Sequence, residues 1–297
     1  MPDISTVPER FRGGGIRFVE IDFSALPEVP MVKAWISLAT YYRWILPSAF
    51  HLDYRTLLYL DTDTYLRRPG ISDLFAAVDR PVSLSAVMDF QRFVPLRGKR
   101  KKKVDAKLRD LGGVNGEYYN AGVLLYQPEE FLRNDGLDRF CAAARENVKY
   151  LPLHRDQDQG AMNLAFADEI KPLNPLYNWC SRAWLNPPMV EKFDPVILHF
   201  AGRGKPWNLQ DDPFISQFAD EYREFLDEHF PHLEAKVALD TAQWRRDNPR
   251  YGIRALDEMR IMFYRRRFRK KLERAWFADT GWKIEKMSSA IFAAEVG

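Results

Sequence analysis

Tyr54–Phe75 reads YRTLLYLDTDTYLRRPGISDLF. Its centre, Thr56–Leu60, is a continuous apolar run of strand length, the kind buried on both faces of a parallel sheet. The run ends on Asp61-Thr62-Asp63, so two carboxylates fall where the strand opens into a loop. Ligands of open α/β sheets bind at the carboxyl ends of strands. Two carboxylates one residue apart offer hard oxygen ligands to Mg²⁺ or Mn²⁺, with substrate phosphates completing the shell. An Asp-x-Asp also serves as a surface or capping pair; the apolar run before it favours the metal.

Upstream of this run, Ile16–Ile21 (IRFVEI) follows a triple glycine and reads as a strand. Residues 31–46 (MVKAWISLATYYRWIL) read as a helix stopped by Pro47. Downstream, Pro81–Met88 and Gly122–Tyr126 are further strands, Pro128–Val148 is a helix, and Val196–Phe200 (VILHF) is a last strand. Alternating strands and helices predict an α/β domain with a mainly parallel central sheet. From about Asp212 onward the pattern is helical without strands. This divides the chain into an α/β domain over 1–211 and a helical extension over 212–297.

Composition narrows the function classes. The chain has 297 residues, 46% hydrophobic and 29% charged, the values of a folded globular protein. Its two cysteines cannot form a disulfide framework, and no apolar run reaches the length of a transmembrane helix. The N-terminus lacks the apolar core of a signal peptide, so a cytoplasmic location is expected. The net charge is +3, unevenly spread. Residues 260–274 hold eight basic residues against Glu273 alone, a local +7 that leaves −4 elsewhere. A second basic cluster runs from Arg97 to Lys103. Such clustering fits an anionic surface or ligand; no nucleic-acid module accompanies it.

Two chemistries use a D-x-D-T after a hydrophobic strand. In haloacid-dehalogenase-like phosphatases Asp61 would be a nucleophile and Asp63 an acid/base. That class needs a later acidic pair closing a strand, and Asp211-Asp212 follows a polar loop and precedes Pro213. Three other motifs point elsewhere: Asn-Ala-Gly-Val-Leu-Leu-Tyr at 120–126, Asp-Gln-Gly-Ala-Met-Asn at 158–163, and His-Phe-Ala-Gly-Arg-Gly-Lys-Pro-Trp at 199–207. With Tyr54–Phe75, and over roughly residues 15–210, they closely resemble the family-eight glycosyltransferases, which include glycogenin and bacterial lipopolysaccharide glucosyl- and galactosyltransferases.

The resemblance implies a GT-A (Rossmann-like) fold and a metal-dependent retaining hexosyltransferase acting on a nucleotide sugar, usually UDP-linked. It implies Asp61, Asp63 and His199 as ligands of Mn²⁺ (or Mg²⁺), a donor set whose chemistry suits that ion. Lys205 matches the lysine that meets the diphosphate, and Gly202, with Gly204, a loop close to phosphate oxygens. Arg43 matches a basic residue near the donor; Asn120, Asp158 and Gln159 match residues lining the donor sugar. Of these, Asp158, Gln159 or Asn120 could reach the reacting carbon, with Asp158 and Gln159 taken as the catalytic pair. Asp89 corresponds more loosely to a sugar-site carboxylate. Asp156 also precedes a Gln, but only Asp158 sets Gly160 and Asn163 at the family spacing. By its own strand, His199 also reads as a core histidine, and Asn120 as a turn residue.

The Asp-x-Asp comes earlier in the chain than is usual for the family. The strand that holds the nucleotide is therefore expected to be missing or remodelled into Met1–Gly15, which leaves room for a catalytically silent membrane-associated relative. In the extension, Ile261, Tyr264, Phe268, Leu272 and Trp276 form one apolar stripe flanked by arginine and lysine. Residues 260–277 thus read as a basic amphipathic helix, lying on an anionic inner leaflet or packed on the domain. The resemblance and the charge together imply a glycan or glycolipid acceptor such as lipopolysaccharide core.

Overall fold

The computed structural model describes residues 39–76, 80–89, 98–180, 193–202, 205–207 and 213–231, with isolated positions 9, 19–24, 26, 28, 190 and 191. In chain order these form α1 (Ala39–Tyr42), α2 (Leu46–Phe50), β1 (Leu57–Leu60), β2 (Thr64–Leu66), α3 (Ser72–Ala76) and β3 (Leu84–Met88). Then come α4 (Gly98–Leu111), β4 (Tyr119–Tyr126), α5 (Pro128–Arg133), α6 (Gly136–Asn147), α7 (Leu151–His154) and α8 (Asp158–Phe166). β5 (Lys171–Leu173), a 3₁₀ turn at Pro175–Tyr177, β6 (Ile197–His199) and α9 (Pro213–His229) complete the set.

The main sheet has the order β1-β4-β3-β5. β4 pairs antiparallel with both β1 and β3, and β3 pairs parallel with β5. Three strands therefore share one direction and β4 runs against them, a mixed α/β sheet. β4 is buried at every position because both of its faces are covered. On one face, Tyr41, Trp44, Leu124, Tyr126, Phe140 and Phe166 form a core beneath the helices, with Trp44 stacked on Phe140 at 4.2 Å. On the other, Val123, Leu125, Trp179, Leu198, Phe200 and Phe218 pack together. That second layer is built from a β2–β6 ribbon and α9.

Four expectations are modified. Pro47 does not end a helix; it lies in the first turn of α2, where its missing N–H costs nothing. The helix expected over Pro128–Val148 breaks at Asp135, whose φ of 52° is left-handed. A Cβ on Gly136 would stand 2.6 Å from the Phe131 ring, so only glycine lets the two halves fold over one another. The strand expected over Val196–Phe200 leaves the main sheet and pairs with β2, Thr64 opposite His199. Of the strand expected at Ile16–Ile21, Val19–Ile21 belong to no strand, and residues 16–18 lie outside the described residues. So does the amphipathic segment 260–277.

The pairing of β3 with β4 is irregular at one place. Ala86 faces Leu124 while Met88 faces Tyr119, so two steps along β3 span five along β4. β4 bulges across Asn120–Val123 and re-aims its side chains there.

Candidate active site

Backbone pairing brings the acidic turn and the histidine together. The Asp61 N–H donates to the Gly122 carbonyl (2.8 Å), docking the end of β1 on the β4 bulge. The Thr64 N–H (3.1 Å) and hydroxyl (2.8 Å) both donate to the Asp61 carbonyl, closing the Asp-Thr-Asp turn. The Phe200 N–H donates to the Asp63 carbonyl (2.9 Å), setting His199 beside Asp63.

One ligand atom from each of Asp61, Asp63 and His199 lies within 4.8 Å of the others. His199 Nε2 is 3.2 Å from Asp63 Oδ1 and 3.7 Å from Asp61 Oδ2. Ligands at about 2.1 Å around an octahedral cation sit about 3 Å apart, so this spacing suits a shared ion of the Mg²⁺ or Mn²⁺ class. A Cβ at position 122 would lie 2.1 Å from His199 Cε1; the buried ring occupies the space that Gly122 leaves.

Charge around the triad is arranged in two shells. Lys205 Nζ contacts Asp63 Oδ2 and donates to the Phe200 carbonyl at 2.8 Å. Burial pushes Asp63 upward, but the His199 hydrogen bond and charge, then Lys205, outweigh it and hold it at about 2. On the far side, the Tyr59 hydroxyl donates to Asp61 Oδ1 (2.7 Å). Arg43 lies 3.0 Å from the same oxygen and 3.3 Å from Asp158 Oδ2, donates to the Thr40 and Ala121 carbonyls, and covers the Tyr59 ring. Arg43 is buried, a strut joining Asp61 to Asp158.

A buried amide chain extends from the triad. His199 Nδ1 is 2.8 Å from Asn178 Oδ1, and Asn178 Nδ2 donates to Asn120 Oδ1 (2.8 Å), which also accepts the Gly122 N–H (2.9 Å). Asn120 Nδ2 and the Ala121 N–H donate to Gln159 Oε1 (3.1 and 3.2 Å), and Gln159 Nε2 donates to Asp89 Oδ2 (3.2 Å). Asp158 opens α8; burial raises its carboxyl, with Arg43 opposing and the Asp61 charge adding. The two carboxylates of the Asp-Gln motif face different partners. Asp156 turns away to Lys107 (2.5 Å) and the Tyr118 hydroxyl (2.8 Å), leaving Asp158 on the side of Arg43.

Every sequence-derived site residue thus falls in one constellation except Gly202, whose φ of +93° suits glycine at the loop after β6; Gly204 lies outside the described residues. Gly122, Asn178 and Tyr59 are additions. A glycine inside the apolar run of β4 was the readable signal for the first. Asn178 and Tyr59 carry no signal of their own, since only tertiary contact gives them roles.

A buried mixed sheet, with an acidic turn at a strand end facing a histidine across a ribbon, gives this chain a GT-A fold. The same fold appears in the crystal structure of the galactosyltransferase LgtC with donor and acceptor sugar analogs: TM-score 0.54 and 23% identity, over 71% of this chain and 76% of that one. The model of glycosyl transferase family 8 matches residues 20–211, and the chain belongs to that family. Among its relatives, general stress protein A of Bacillus subtilis is 24% identical over 228 residues, 72% of this chain and 73% of that protein. The lipopolysaccharide 1,2-glucosyltransferase of Escherichia coli is 24% identical over 201 residues, 65% of this chain and 56% of that enzyme. Family membership settles the choice against the phosphatase reading of Asp61 and Asp63.

Proposed function

We propose that the chain is a metal-dependent retaining hexosyltransferase that takes a sugar from a UDP-linked donor and passes it to a glycan acceptor. The observation that carries this reading is the convergence of Asp61, Asp63 and His199 beside Lys205 and next to Asn120, Asp158 and Gln159. Residues 1–211 hold the transfer machinery in this reading. The extension from 212 leans on it through α9, whose Phe218 packs on Phe200 at 5.2 Å.

A divalent cation held by Asp61, Asp63 and His199 would neutralise the diphosphate and stabilise the departing nucleotide. Lys205, a point charge on a flexible stem, is suited to the same diphosphate, and Gly202 keeps the loop backbone open to phosphate oxygens. Asp89, Asn120 and Gln159 form a polar wall suited to sugar hydroxyls. Gln159 Oε1 already accepts two hydrogen bonds, and the Asp158 carboxylate is held by Arg43 while burial favours its neutral form. Neither is a good nucleophile. That supports same-face attack by the acceptor, with leaving-group charge stabilised by the chain's cations.

The test is a thermal-shift screen of nucleotide sugars with and without Mn²⁺, followed by donor turnover in Asp61→Ala, Asp63→Ala and His199→Ala. Stabilisation should grow with ligand concentration over its dissociation constant. We expect UDP-sugar with Mn²⁺ to stabilise most and each variant to lose metal-dependent turnover while staying folded. Full activity in Asp61→Ala, or a covalent glycosyl adduct on Asp158, would overturn the metal assignment or the same-face mechanism respectively.

A further inference from the structure

The amide chain behind His199 has a direction, and backbone groups dictate it. The Gly122 N–H can only donate, so the atom of Asn120 that faces it at 2.9 Å is its oxygen. That oxygen in turn requires the Asn178 amide nitrogen at 2.8 Å. Asn178 must then present its oxygen to His199 Nδ1, also at 2.8 Å. The Ala121 N–H fixes Gln159 by the same logic, and the acceptor-only carboxylate of Asp89 agrees at the far end. No member can flip its amide without setting like atoms against each other.

We infer that Asn178 is a positioning residue: its side-chain oxygen accepts the His199 Nδ1–H, so that a divalent cation seated between Asp61 and Asp63 meets the ring through Nε2. The inference rests on the proposed metal seat and deepens it. An imidazole that must offer a lone pair at one nitrogen needs an acceptor at the other, and an outer partner of this kind commonly contributes 10- to 100-fold in metal affinity. Asn178 is wholly buried, so water cannot replace it. Its place comes from the backbone: Trp179 exchanges hydrogen bonds with β6, its N–H donating to the Ile197 carbonyl (3.0 Å) and its carbonyl accepting the His199 N–H (3.1 Å). Since Asn120 is shared, the network also ties the seat of the cation to Gln159 and Asp89 on the sugar side.

Removing the acceptor should invert the ring. In Asn178→Leu a proton on Nδ1 would be buried without an acceptor, which is unfavourable. The proton then moves to Nε2, where Asp63 Oδ1 at 3.2 Å accepts it and the ring ceases to be a ligand.

Two measurements test this on the full chain. Long-range ¹H–¹⁵N spectra of histidine-labelled protein in saturating Mg²⁺ report the tautomer directly. Wild type should show Nδ1–H, and Asn178→Leu should show Nε2–H. Calorimetric titration with Mn²⁺ should give a dissociation constant 10- to 100-fold weaker in the variant. A wild-type spectrum with the proton on Nε2 overturns the inference whether or not the variant folds. Equal Mn²⁺ affinity and tautomer in a folded Asn178→Leu overturns it as well. Failure of wild type to bind Mn²⁺, with or without UDP, sinks the proposed metal seat and this inference with it, whereas equal behaviour of wild type and Asn178→Leu sinks the inference alone.

Discussion

Gly122 decides whether His199 can serve the site. The ring lies so close over β4 that a methyl group on residue 122 would stand 2.1 Å from Cε1 and 2.6 Å from Nδ1. In Gly122→Ala the imidazole must shift by about an ångström or more, since the opposing atoms belong to a buried ring and not to a flexible tip. Displacements of that size near reacting groups can lower rates by about 10²-fold. We expect Gly122→Ala to stay folded, to lose donor turnover by about that factor and to bind Mn²⁺ more weakly. Turnover kinetics and Mn²⁺ titration on one preparation would check it, and wild-type values in both would contradict the close packing.

Among the secondary-structure elements, the break between α5 and α6 shows how packing overrides periodicity. The apolar pattern continues across Pro128–Val148, yet Asp135 adopts a left-handed backbone and Gly136 sits against Phe131. Phe131 is fully buried among Tyr126, Phe140 and Phe166, so it cannot yield to a new methyl group. Overpacking of this kind costs about 1–3 kcal/mol. Gly136→Ala should lower the unfolding free energy by that amount in urea melts with an unchanged slope, and an unaffected midpoint would show that the helix pair yields at this contact. The bulge in β4 is a counterpart on the sheet. It gives up regular pairing across Asn120–Val123 and aims Asn120 along the site while its neighbours stay in the core.

Across the full chain, positive charge gathers in two places. α4 begins with Lys99, Lys101, Lys102 and Lys103, all exposed, and lies between Asp89 and Asn120 in the chain. Residues 260–274 add a local +7. Among the described residues no helix is long and apolar enough to cross a membrane. Each basic residue near an anionic leaflet contributes on the order of 1 kcal/mol, an attraction that fades as the Debye length shrinks to about 3 Å at 1 M salt. Co-sedimentation with anionic vesicles should therefore retain the full chain at low salt, release it at high salt, and fail for a variant truncated after Asp257. Equal partitioning of both proteins would remove the argument for a membrane-bound acceptor.

The chemistry of the site and the class of the fold are legible in the linear chain. An apolar run must be buried, polar termination of that run marks a strand end, and Asp-x-Asp, Asn-Ala-Gly, Asp-Gln-Gly and His-Phe-x-Gly each carry a local requirement that a linear pattern records. Which partners meet is settled only in three dimensions. Lys205 touches Asp63 across 142 positions, Arg43 holds Asp61 and Asp158 at once, and Asn178 orients His199 from 21 positions away. Such pairings depend on strand register, on the β4 bulge and on β6 leaving the main sheet for β2. Local periodicity is blind to them, because the free energy that selects a register comes from burying two cores at once.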